Sequence, residues 1–218
     1  MPGRVEPSQM STGNLMQTGF WWILLALLLY GVIHSVLAAH RTKDWIKDRW
    51  GEQHYNRFYR LFFSIQAALL FVPVLLLVGF LQDETIYRIP APWVYLTIAL
   101  QILAVMGVLH SIMLTGMLRF TGIQQAMDPE QAQKPIKLVN KSLYRWVRHP
   151  IYTCMLLFIW LVPVMTWNIL ALNIGISIYN ILGALLEERK LISEFGQPYV
   201  EYSQRTPFII PGLKIRNR

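Results

Sequence analysis

Four stretches of this chain contain no aspartate, glutamate, lysine or arginine: residues 17–40, 61–82, 89–118 and 150–186. A helix of about 20 apolar residues crosses the hydrocarbon core of a bilayer. Helices suit that environment because their backbone N–H and C=O groups are satisfied within the segment itself. Each of the first three stretches is long enough for one such helix. The fourth is long enough for two shorter ones that turn near residues 163–168. The sequence therefore predicts an all-α integral membrane protein of about five transmembrane helices, with helices four and five as a tight hairpin. Composition agrees, since 54% of the 218 residues are hydrophobic and 15% are charged, too apolar for an ordinary soluble domain of this length.

A net charge of +8 could serve nucleic-acid binding, but the placement of the charge points elsewhere. Of the 20 lysines and arginines, six lie between spans one and two, six between spans three and four, and six after span five; only Arg4 and Arg88 fall on the other side. This alternation follows the positive-inside rule for an N-terminus outside and a C-terminus in the cytoplasm. The expected partner is the lipid bilayer, in the setting of a bacterial inner (cytoplasmic) membrane, and no nucleic acid is expected.

Residues 1–17 read as an external polar tail, with no cleavable signal peptide evident. Residues 18–118 form a three-span N-terminal half, interrupted by a basic cytoplasmic loop at 40–60. That loop reads as an interfacial helix with Trp45, Trp50 and Tyr55 at headgroup depth. Pro73 is expected to kink span two, and the short outer link 83–92 makes spans two and three antiparallel neighbours. The second half, 119–218, holds the longest cytoplasmic loop (119–148), two spans at 151–165 and 168–186, and an amphipathic cytoplasmic tail. Cys154 is the sole cysteine, so neither an intrachain disulfide nor a cysteine-based zinc site is available.

Ionisable groups inside or beside the spans are the functional candidates. Gly31-Val32-Ile33-His34-Ser35 is echoed by Gly107-Val108-Leu109-His110-Ser111 at similar depth, so His34 and His110 are candidates to line one pocket, relay a proton or hold a haem. The last third is richer. Tyr144-Arg145-Trp146-Val147-Arg148-His149-Pro150-Ile151-Tyr152 enters the fourth charge-free stretch, which ends at Glu187-Glu188 and is followed by Phe195-Gly196, Tyr199, Tyr202 and Pro207. Polar groups at both ends of one hairpin suit a site where a charged small molecule meets the membrane edge.

In this order and spacing, these residues resemble the isoprenylcysteine carboxyl methyltransferase superfamily, over roughly residues 136–211. The phospholipid methyltransferases are similar in this region. His34-Ser35-Val36-Leu37-Ala38, Tyr59-Arg60-Leu61 and Gly122-Ile123-Gln124-Gln125 add a resemblance to the bacterial methanethiol S-methyltransferase branch. They also look like the NnrU family, which lacks the Arg-His-Pro signature. The resemblance implies an integral membrane methyltransferase using S-adenosylmethionine, with 119–218 as the cofactor-binding, catalytic half. It places the cofactor on Ile136, Lys137, Leu138, Val139, Tyr144, His149, Pro150, Ile151, Tyr152 and Glu187. Gly183 stands where members acting on prenylcysteine carry an arginine, which favours a smaller or uncharged nucleophile.

The implied reaction is methyl transfer to a small thiol or other lipophilic nucleophile at the cytoplasmic face. A thiol must first be ionised, and its pKa lies above neutral, near 8.5 for cysteine as a guide. Arg148 is the candidate to stabilise the thiolate, and His110, His149 or Glu188 to take its proton; Arg148, Glu188 and His110 form the candidate catalytic set. Within this chemistry a phospholipid or prenylcysteine substrate is the alternative. Outside it, the alternatives are an NnrU-like haem-binding protein and a non-catalytic subunit of a membrane complex.

Overall fold

The computed structural model describes residues 15–132 and 137–213. Among the described residues are ten α-helices: α1 (Phe20–Ala38), α2 (His40–Trp50), α3 (Glu52–Phe80), α4 (Trp93–Thr115), α5 (Met117–Thr121), α6 (Ile123–Met127), α7 (Pro129–Ala132), α8 (Pro150–Trp160), α9 (Trp167–Phe195) and α10 (Gln197–Arg205). Two 3-10 turns (Leu15–Gln17 and Ser142–Arg145) and two strands, β1 (Thr85–Arg88) and β2 (Val164–Thr166), complete the described elements. Helices α1, α3, α4 and α9 are long and apolar enough to cross a membrane. Leu28, Leu69, Leu103 and Leu186 are exposed on them, as lipid-facing side chains are. The chain is an integral membrane protein.

Among the described residues four helices have the length of a span, and the helix expected as the fourth of five ends early. Helix α8 has 11 residues, or roughly 16 Å at the helical rise. Beyond Trp160 the backbone opens and pairs as β2 with β1, in the register Thr85↔Thr166, Tyr87↔Met165 and Arg88↔Val164. The all-α expectation is corrected to this extent. The ribbon also ties the helix ends together. Pro163 accepts a hydrogen bond from Ile89 N at 2.8 Å, Asp83 Oδ1 accepts one from Asn168 N at 3.1 Å, and Asn168 Nδ2 donates to Leu81 O at 3.2 Å. Thr166 caps α9 by accepting from Ile169 N, the usual service of a threonine at this position.

The spans meet through small residues and polar side chains, as expected where lipid competes for apolar contact. Helix α1 packs on α9 and α3 through Phe20, Ile23, Val74 and Ala171. A Cβ at Gly175 would fall 2.4 Å from Leu27, and one at Gly107 would fall 2.6 Å from Cys154 Sγ, so these glycines set how closely α9 approaches α1 and α4 approaches α8. Asn173 Nδ2 donates to Ile159 O at 2.7 Å, Trp160 Nε1 to Ser177 Oγ at 2.9 Å, and Asn180 Nδ2 to Met155 Sδ at 3.2 Å. Along these contacts α8 and α9 run antiparallel.

Two boundaries move from their expected places. The basic loop 40–60 is not one interfacial helix: it breaks at Gly51, whose φ of 80° is a glycine conformation,, and residues from Glu52 onward are the first turns of α3. Helix α3 then continues through Pro73. Helix α9 runs past Leu186 to Phe195, carrying Glu187 and Glu188 as helical residues. The loop after α4 is organised by α5 and α6, which lie against α3: Arg57 Nε donates to Ala126 O at 3.0 Å and Arg60 Nε to Phe120 O at 3.3 Å.

Gly122 joins α5 to α6 with φ +88°, and a Cβ there would lie 2.4 Å from the Leu61 nitrogen and 2.6 Å from the Arg60 carbonyl carbon. Neither backbone can withdraw without moving α3. Gly122→Ala should therefore cost about 2–5 kcal/mol through left-handed strain and overpacking together. It should lower the melting temperature in detergent and expose residues 117–127 to protease; an unchanged melting curve would contradict the packing described.

Candidate active site

Pro150 opens α8 at its first turn, where its missing N–H is no loss. The preceding pair, Arg148-His149, is laid against the C-terminal tail: Arg148 N donates to Pro207 O at 2.8 Å and His149 N to Phe208 O at 3.2 Å. Thr153 Oγ1 adds a bond to Ile209 O at 2.7 Å. This backbone pairing turns both side chains toward α9 and α10.

There they meet Glu188. Its Oε1 accepts from Arg148 Nε at 3.0 Å, His149 Nε2 at 2.8 Å and Tyr199 OH at 2.6 Å. Arg148 Nη1 donates to the Ser203 and Thr206 carbonyls at 2.6 and 2.9 Å, while Nη2 is buried with no hydrogen-bond partner. The guanidinium also lies over Phe208, 5.5 Å from the ring centre. With side chains 1% and 4% exposed, Arg148 and Glu188 form a sealed ion pair, whose desolvation is offset by the bonds to His149, Tyr199 and the two carbonyls,. Burial, and then the bond to Glu188, hold the Tyr199 phenol well above its ordinary pKa, so Tyr199 is a permanent donor.

Glu187 faces elsewhere, since neighbouring helical residues differ by about 100° in direction. Its side chain is 43% exposed. Tyr152 lies beside it, within reach of its charge, and His149 lies between the two carboxylates, with Nδ1 3.8 Å from Glu187 Oε2. Tyr144 lies within reach of the Glu187 charge. Burial first, then that charge, push its phenol up to about 12 against a bond to Thr115 that favours ionisation. Tyr202 donates to the Tyr144 carbonyl at 2.5 Å and fastens the 3-10 turn that carries Tyr144. A Cβ at Gly183 would sit 3.7 Å from the Tyr152 hydroxyl, so the position one turn before Glu187 leaves that hydroxyl uncovered.

The structure thus divides the residues singled out from sequence into two groups. Arg148, His149 and Glu188 converge in the sealed knot; Tyr144, Tyr152 and Glu187 converge on a half-open face beside it. His110 shares a hydrogen bond with Ser142 Oγ at 2.8 Å, next to Tyr144. Ser142 itself has φ 56°, a left-handed conformation unusual for serine. His34 keeps separate company, among the rings of Tyr30, Phe63 and Tyr179. Pro150 and Ile151 form the first turn of α8. Lys137, Leu138 and Val139 run without regular structure before the 3-10 turn, and Ile136 lies outside the described residues. Thr115, Thr153 and the Ser203 and Thr206 carbonyls went unread in the sequence. Backbone acceptors leave no residue-type signal, and isolated threonines leave little.

Arg148→Ala would strand the Glu188 carboxylate in a buried site, a loss of about 3–5 kcal/mol. The expected result is a lower melting temperature and proteolysis within residues 196–213; a tail as resistant as in the parent protein would contradict the knot.

Residues 22–207 match the NnrU protein family. The chain is 30% identical to methanethiol S-methyltransferase 1 of Bradyrhizobium diazoefficiens, over 96% of its own length and 73% of that protein's. It is 26% identical to the methanethiol S-methyltransferase of Pseudomonas deceptionensis over 88% and 72%, respectively, and 28% identical to that of Mycobacterium tuberculosis over 86% and 76%. No solved structure matches the chain. A match spanning most of the chain, with relatives of this likeness and coverage, makes it a member of the NnrU family, in its membrane methyltransferase branch.

Proposed function

We propose that this protein transfers the methyl group of S-adenosylmethionine to a small thiol at the cytoplasmic face of the membrane. The observation that carries the reading is the half-open Glu187 carboxylate with Tyr152 and Tyr144 around it, beside a carboxylate that is wholly committed to structure. The methanethiol S-methyltransferases among its relatives supply the reaction class.

The residues suit such a methyl donor. Glu187 offers an acceptor for hydroxyls or an ammonium group, and neutral tyrosine rings attract a sulfonium by cation-π interaction. Tyr144, His149, Pro150, Ile151, Tyr152 and Glu187 would hold the donor, with residues 137–139 contributing from the irregular segment before the 3-10 turn. When bound, the donor supplies an activated methyl group on a positively charged sulfur. The chain's task is then to fix two reactants in line, where orientation alone accounts for much of the acceleration. Because a thiolate and a sulfonium lose their charges as they react, a dry site at the membrane edge favours the transfer.

In this account Arg148 and Glu188 are positioning residues. Their burial keeps them from a substrate, but they hold His149 and α8 against α9, and so place Tyr152 beside Glu187. His110 supports the turn that carries Tyr144. The N-terminus lies outside and the C-terminus in the cytoplasm, within a bacterial inner membrane. Helix α8, at roughly 16 Å, the turn after it and the three residues of β2, at roughly 10 Å, together approach a hydrocarbon core of about 30 Å,, which gives a fifth pass beside α9.

The test is isotope-labelled S-adenosylmethionine supplied with methanethiol to the purified protein. Labelled dimethyl sulfide is expected, with no label entering phosphatidylethanolamine in a parallel reaction. Label in the lipid alone would move the substrate to phospholipids. A folded sample that methylates neither and shows a haem Soret band would overturn the reading.

A further inference from the structure

His34, on α1, is an ionisable side chain within a membrane-spanning helix that the site above leaves unused. Its ring centre lies 4.3 Å from that of Phe63 on α3, 5.7 Å from Tyr30 on α1 and 5.8 Å from Tyr179 on α9. Three helices therefore wall one imidazole with aromatic rings. Its Nδ1 is buried and has no hydrogen-bond partner, and the same holds for both Nε2 and Oε1 of Gln66, one turn beyond Phe63. A buried polar atom left unpaired costs about 1–3 kcal/mol, and rings offer little in exchange. Three such atoms on two side chains, at one meeting of α1 and α3, are suited to a small polar guest.

The box is continuous with the candidate donor site. Tyr179 packs on Tyr30, with ring centres 6.0 Å apart, and stands one helical turn before Gly183, where a Cβ would meet the Tyr152 hydroxyl at 3.7 Å; Tyr152 in turn lies beside Glu187. Glycines keep the row open: a Cβ at Gly31 would meet Tyr179 at 3.6 Å, and Gly183 faces the Tyr152 hydroxyl. The imidazole and the Glu187 carboxylate thus stand at the two ends of one aromatic row. The other candidate bases are already engaged: Glu188 and His149 in the sealed knot, and His110 with Ser142.

We propose that the box formed by Tyr30, Phe63 and Tyr179 is the thiol subsite, and that His34 Nδ1 is the base that ionises the thiol; this rests on the methyltransferase reading above. The thiol S–H breaks and its proton passes to Nδ1. A sulfur lone pair then forms the new S–CH3 bond as the donor's S–CH3 bond breaks, leaving that electron pair on the donor sulfur, now a neutral thioether. The imidazolium returns its proton to water after product leaves. The Gln66 amide N–H donates to the thiolate, and the rings enclose its alkyl group. Among the described residues, the titratable side chains whose rings pack on His34 are Tyr30 on its own helix and Tyr179 on α9, while α3 presents Phe63, which does not titrate.

The experiment compares the parent with His34→Gln, His34→Ala and Gln66→Leu, measuring S-adenosylhomocysteine binding and methanethiol methylation from pH 6 to 9. With His34 as base, both His34 variants bind S-adenosylhomocysteine like the parent but methylate about 100-fold more slowly at pH 7. Their rates climb about tenfold per pH unit as free thiolate replaces the missing base, whereas the parent's rate depends on pH far less steeply. Gln66→Leu raises the KM for methanethiol and leaves S-adenosylhomocysteine affinity unchanged. The proposal is overturned if the His34 variants keep the parent's rate, or lose the same factor at every pH. Should both His34 variants lose S-adenosylhomocysteine binding through misfolding, Gln66→Leu decides, and an unchanged KM sinks the subsite. A parent that neither binds S-adenosylhomocysteine nor methylates a thiol is a different failure, of the methyltransferase reading itself.

Discussion

One carboxylate oxygen, Oε1 of Glu188, receives Arg148, His149 and Tyr199 at 2.6–3.0 Å, and much of the site depends on it. A buried carboxylate is tolerable only with its charge countered and its hydrogen bonds made. Here the counter-charge comes from the residue pair that opens α8, and one donor comes from α10, beyond the end of α9. The guanidinium is in turn held by the Ser203 and Thr206 carbonyls. Helix α8, helix α9 and the tail are thereby closed into one unit, which no two of them could complete alone.

The consequence for chemistry is a division between adjacent residues. Glu188 is buried and Glu187 is half-open because a helix turns about 100° per residue, and the knot selects which of the two faces inward. Once Glu188 is fixed, the direction of Glu187 follows, and with it the row of Tyr144, Tyr152 and Tyr179. The opposite end of the bundle is held differently, by the β1–β2 ribbon and the buried Asn168. A rigid ribbon at one end and an ion-pair knot at the other hold α8 in place, although it is the shortest of the long apolar segments.

Much of this was legible from the charge-free stretches, which located α1, α3, α4 and α9. They mark where charge is excluded, however, and not where a helix stops. Helix α3 begins at Glu52 and α9 continues to Phe195, because charged residues continue a helix readily once it leaves an apolar environment. The same blindness hid the early end of α8: residues 161–166 carry no charge whether helical or extended, and the pairing of residues 164–166 with 85–88 depends on a partner some 80 positions away. At the site, the order Arg-His-Pro-x-Tyr and the paired glutamates were visible. Which glutamate turned inward was not, since Tyr199 and two backbone carbonyls decide it. The likeness of the His34 and His110 segments suggested a shared pocket, but His110 bonds to Ser142 while His34 lies within its own aromatic box.

The division between the two glutamates is the claim on which the account stands. One paired measurement tests it: S-adenosylhomocysteine affinity and melting temperature for Glu187→Gln and Glu188→Gln, in detergent. The account predicts that Glu187→Gln keeps the parent's melting temperature and loses affinity. Glu188→Gln should melt earlier, while its folded fraction still binds. If Glu188→Gln were stable and failed to bind, or Glu187→Gln bound as tightly as the parent, the assignment of one carboxylate to structure and the other to the ligand would be contradicted.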